Sequence, residues 1–75
     1  MGERLPILTA KEIVKALKKG GFVSQRQKGS HLTLRHPGTK HTTVVTMHPG
    51  EFPRVFLNTI LKQAGISDKE FRKFL

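Results

Sequence analysis

The stretch FVSQRQKGSHLTLRHPGTKHTTVVTM, residues 22–47, decides how the rest of the chain must fold. Thr, Val, Leu, Gln and His alternate through it around two turn signals, Lys28-Gly29 and Pro37-Gly38-Thr39-Lys40. A period of two is the mark of strands with one buried face. Three short antiparallel strands are expected near 22–27, 31–36 and 41–47, with the middle strand paired on both sides. Taking Lys28-Gly29 as a two-residue hairpin sets Arg26 opposite His31, and a four-residue second turn sets His36 opposite His41 and His31 opposite Thr46. Val23, Leu32, Leu34 and Val45 then share the face that packs under helices. Arg26, His31, Thr33, Arg35, Thr42 and Thr46 share the other. A slip of one residue would drive Arg35 into the core and expose Leu32 and Leu34, so the register is well specified.

One helix is expected before these strands in the chain and two after them. After a lead-in over residues 1–8, Thr9-Ala10-Lys11-Glu12 reads as a capping box, a hydroxyl at the N-cap with a carboxylate three residues on. Ala10, Ile13, Val14 and Leu17 fall on one helical face, Lys11, Lys15 and Lys18 form a separate stripe, and Gly20-Gly21 supplies the stop. Residues 48–52 read as a loop, and Pro53 suits the first turn of a second helix. Phe56, Leu57, Ile60, Leu61 and Ala64 give that helix a broad apolar face ended by Gly65. Ser67-Asp68-Lys69-Glu70 is a second capping box, opening a short last helix with Phe71, Phe74 and Leu75 to bury. The class is α+β, in the order α-β-β-β-α with a short C-terminal helix, as one domain over residues 1–75.

Composition narrows the function. Fourteen Lys and Arg against five Asp and Glu give a formal net charge of +9, which favours a polyanionic partner such as nucleic acid or an acidic protein. A core this small rarely contributes more than about 3–5 kcal/mol, which leaves little for an elaborate pocket. With no Cys, neither a disulfide framework nor a thiolate zinc site is available, and a reducing compartment is the natural one. No run approaches the roughly 18 apolar residues that would span a membrane, and the N-terminus lacks a signal-peptide core. A cytoplasmic protein with no membrane association is the expectation.

The chemistry concentrates at Gln27-Lys28-Gly29-Ser30-His31, where an imidazole follows a tight turn on the polar face of the sheet. Arg26 as cross-strand neighbour, within about 5 Å between Cβ atoms, would disfavour the imidazolium, leaving His31 a general base with a cation at hand for a phosphate. Arg26, Lys28, Ser30 and Arg35 are the candidate RNA contacts. His48, if it continues the third strand, lies diagonal to His31 at roughly 7–8 Å and is the candidate second acid–base group. His36 and His41 flank a hairpin tip as a surface pair. His31 and His36 point to opposite faces, so the four histidines cannot converge on zinc. No Cys nucleophile, phosphate-binding Gly-rich loop or carboxylate pair competes, and no cofactor or metal is expected.

Several segments together resemble the HicA toxins of bacterial and archaeal toxin–antitoxin pairs. They are Lys18-Lys19-Gly20-Gly21-Phe22, Arg26-Gln27-Lys28-Gly29-Ser30-His31, Thr42-Thr43-Val44-Val45 with His48, and Ile60-Leu61-Lys62-Gln63-Ala64-Gly65-Ile66-Ser67. The resemblance runs in order from about Ile7 to Leu75. It implies a fold like double-stranded RNA-binding domains, metal-independent cleavage of messenger RNA (mRNA), an essential histidine at His31, and neutralisation by a HicB-type antitoxin. The chain departs from the family at Pro49-Gly50-Glu51-Phe52-Pro53, where a more basic loop is common. Two other readings stay open. One is an RNA-binding module without catalysis, using the first helix and the basic sheet face. The other is DNA binding through a helix-turn-helix over residues 60–75, against which stand Asp68 and Glu70 at the start of the recognition helix.

Overall fold

A computed structural model describes residues 6–75; the first five residues of the lead-in lie outside the described residues. The elements are α1 (Ala10–Lys19), β1 (Val23–Lys28), β2 (His31–Arg35), β3 (Thr42–Thr46), α2 (Arg54–Ala64) and α3 (Asp68–Lys73). They form the α+β arrangement of double-stranded RNA-binding domains, with an open antiparallel sheet in the order β1-β2-β3.

Both capping boxes are present, and they fix where α1 and α3 begin. The Thr9 hydroxyl accepts the Glu12 N–H at 3.3 Å, while the Glu12 carboxylate accepts the Thr9 N–H at 2.8 Å. Ser67 and Glu70 repeat the exchange at 3.1 and 3.0 Å. Such caps are each worth about 1 kcal/mol. Pro53 sits one position earlier than expected, as the N-cap of α2.

Ile13 and Leu17 of α1, Leu57, Ile60 and Leu61 of α2, and Phe71 of α3 bury against Leu34 and Val45 of the sheet. Leu32 packs at the margin of this core. Backbone pairing ties the segment before α2 to the lead-in: Thr9 bridges Glu51, and the Phe52 N–H donates to the Leu8 carbonyl at 2.7 Å. That bond draws Phe52 into the core.

Three apolar side chains escape the burial expected of them. The pairing of β1 with β2 shifts between Ser24 and Arg26, leaving Gln25 as an extra residue. Past that bulge the alternation reverses. Ser24 therefore opposes Leu34 and Val23 opposes Arg35, so Val23 is 54% exposed on the polar face and Phe22 is buried in its stead. Phe56, on the flank of α2, is 58% exposed, and Leu75, beyond the end of α3, is 47% exposed.

Candidate functional site

The first hairpin turns on Gly29-Ser30, and this sets what stands beside His31. Gly29 has φ +60°, whereas Ser30 does not adopt positive φ. That is the signature of a two-residue turn with glycine first, type II′. A Lys28-Gly29 loop would have put lysine at the position that demands left-handed backbone. The register accordingly differs from the expected one by two residues: Lys28 opposes His31, and Arg26 opposes Thr33. A shift of two preserves the faces. His31 remains exposed on the polar side, but its directly facing cation is Lys28, and Arg26 moves to the diagonal position.

Hydrogen bonds brace this corner on both sides. The Gln27 side-chain amide donates to the Gly29 carbonyl at 3.1 Å, and the Met47 N–H donates to the Ser30 carbonyl at 2.6 Å. On its other flank His31 opposes Thr46 of β3, as expected. Ser30 thus contributes to the site through its backbone, fixing the residue next to the imidazole.

His31 borders a groove that crosses the free edge of β3. Val44 and Thr46 line it from the sheet, and Phe56, Thr59 and Gln63 line it from α2; it is open to solvent and holds about 260 Å³. The helix residues follow from one spacing: positions 56, 59, 60 and 63 form a stripe beside the buried stripe 57, 60, 61 and 64. Thr43, on the core face of β3, is buried, and its hydroxyl donates to Gln63 Oε1 at 2.8 Å. Sequence reasoning did not single out Phe56, Thr59 or Gln63 as site residues. Phe56 reads as part of the buried apolar face of α2, and Thr59 and Gln63 carry no signal of their own until α2 is known to lie along β3.

The remaining candidates are dispersed. Arg35 shares the polar face but opposes Thr42 at the far end of β2, about 13 Å along the strand from His31. The proximity expected of His48 depended on the third strand continuing through it. β3 ends at Thr46, and the His48 N–H folds back onto the Thr46 carbonyl at 3.0 Å. His48 borders a different groove, with Thr9, Lys11 and Met47.

The two other histidines are built into the scaffold. His36 Nδ1 accepts the N–H groups of Gly38 and Thr39 at 3.0 and 3.1 Å, which organises the second turn. Its ring meets Phe22 edge-on at 5.3 Å and covers Gly21, where a Cβ would lie 2.7 Å from Nε2. His41 covers Gly65 in the same way, with a Cβ there only 2.6 Å from the ring. Gly21 has φ +100° and Gly65 φ +72°, so each glycine is required both for backbone conformation and for ring contact.

Among the described residues no three His, Cys, Asp or Glu side chains gather where they could hold a metal ion. No helix there is long and apolar enough to cross a membrane. α3 is poorly suited to reading DNA, because Phe71 is fully buried and Glu70 is committed to its cap.

The family model of the HicA toxin of bacterial toxin–antitoxin systems matches residues 10–66, which include His31 and the α2 and β3 residues that line the groove beside it. A search of curated proteins finds no match.

Proposed function

Because this chain belongs to the HicA toxin family, we propose that it is an endoribonuclease, an mRNA interferase whose single essential side chain is His31. The observation that carries the reading is the pairing of an exposed His31 with Lys28 at the rim of a groove. In the proposed reaction the neutral imidazole takes the proton of a ribose 2′-OH, and the 2′ oxygen attacks the adjacent phosphorus. The bond to the 5′ oxygen breaks, and that oxygen leaves with a proton from solvent. The products are a 2′,3′-cyclic phosphate and a 5′-hydroxyl end, with no metal required. Lys28 offsets the charge that develops on the phosphoryl oxygens, and Arg26, one diagonal step away, holds a neighbouring phosphate. His48 takes no part in this scheme, since it borders another groove.

A net charge of +9 supports two partners for the same face, RNA and an acidic protein of the HicB type that would exclude RNA by covering it. The cytoplasm is the compartment this reading implies. The test is RNA incubated with purified protein in EDTA. Fragments with cyclic phosphate ends from RNA, none from DNA of the same sequence, and none with His31→Ala are the expected result. Intact RNA bound by wild-type protein would instead identify a binding module without catalysis.

A further inference from the structure

We propose that the groove beside His31 is a nucleobase subsite, which takes one unpaired base of an RNA strand, stacks it on Phe56 and donates to its edge from Gln63. The inference rests on the ribonuclease reading only in taking RNA as the ligand.

Three observations converge on it. The first is an exposed aromatic side chain that the fold does not use. Phe56 is 58% exposed at the groove wall, and Val44, which lines the same groove from β3, is 41% exposed. Phe52 meets the Phe56 ring at 76° with centroids 6.5 Å apart, which braces the ring without covering it. A rigid aromatic surface beside a cationic, polar site suits a base, because every base has a π-face and stacking needs no charge.

The second is the tethered amide of Gln63. Thr43 holds Oε1 at 2.8 Å from within the protein. The Nε2 end, with its two N–H donors, is left for the groove, where base edges offer carbonyl and ring-nitrogen acceptors. The third is size and charge. The open groove holds about 260 Å³, room for one base with its sugar and phosphate lying outside it. Lys28 at the His31 end supplies the charge complement for the phosphate attached to that base. A duplex keeps its bases stacked inside and would leave Phe56 idle, so the substrate at this point is single-stranded.

The probe is a short single-stranded oligoribonucleotide, 2′-O-methylated to prevent cleavage, with 2-aminopurine placed at each position in turn. Wild-type protein and His31→Ala should quench the fluorescence strongly at one position, and the same strand in a duplex should show no such protein-dependent quenching. Phe56→Leu should abolish that quenching and weaken binding about five- to 150-fold, the span of measured base–aromatic stacking. Phe56→Trp should retain the quenching, which controls for folding. Binding with no position quenched, binding and quenching unchanged by Phe56→Leu, or no binding at all would overturn the subsite. So would a Phe56→Leu protein that loses only an acidic protein partner, which would mark the patch as a protein interface. Quenching that depends on Phe56 while unmodified RNA stays whole would sink the ribonuclease reading and leave the subsite standing. Cleavage at full rate by Phe56→Leu, with no quenching in wild type, would do the reverse.

Discussion

Lys28 and His31 face one another across the first hairpin, the last residue of β1 against the first of β2. The pair is separated only by the turn that joins the strands, so its geometry does not depend on how the helices settle. Under the proposed mechanism the two should be separable by experiment, one carrying chemistry and the other charge.

His31→Ala should lower RNA cleavage by about 10²–10⁴-fold, the usual worth of a positioned general base. The side chain is exposed, so stability should change by no more than about 0.5 kcal/mol. Single-turnover cleavage alongside thermal melting checks both halves.

Lys28→Gln should weaken RNA binding uniformly across sequences. It should also reduce the slope of log affinity against log salt by about 0.7, the increment for one phosphate contact on a single strand. Titrations from low to moderate salt measure this, and an unchanged slope would remove Lys28 from the interface.

Gln63→Met should destabilise the fold by about 1–3 kcal/mol, because the buried Thr43 hydroxyl loses its acceptor. Thr43→Val in the same background should recover most of that loss, since no buried polar group is then left unpaired. A double-mutant cycle by urea unfolding reads the coupling directly.

Gly65→Ala should cost at least about 1–2 kcal/mol from the left-handed backbone alone. The clash with the His41 ring adds to it. His41→Ala should relieve only the second part, so the double variant should melt above Gly65→Ala and below wild type.

The order of elements, the two capped helix starts and the face on which His31 lies were all legible in the sequence, because each rests on local spacing. What was not legible depends on a single inserted residue or on tertiary docking. The bulge at Gln25 turns Val23 outward, and nothing in Val23-Ser24-Gln25-Arg26 announces it. The neighbour of His31 hinged on whether Gly29 came first or second in its turn. A stricter use of turn chemistry favours first, since glycine takes the positive φ required there without steric cost. The groove could not be read at all, because Phe56 and Gln63 share a groove with His31 only once α2 lies along β3. The glycines after α1 and α2 read as helix stops, and their second use, seating His36 and His41, needed coordinates.

Those two seats lie at the opposite end of the β2–β3 hairpin from His31, one just past each major helix. Selecting for cells that survive production of this polypeptide should therefore yield escapees of two kinds. Lesions around His31 should leave full amounts of harmless, folded product, while lesions at Gly21 or Gly65 should deplete the product itself. An immunoblot of the survivors would sort them without any assay of nuclease activity.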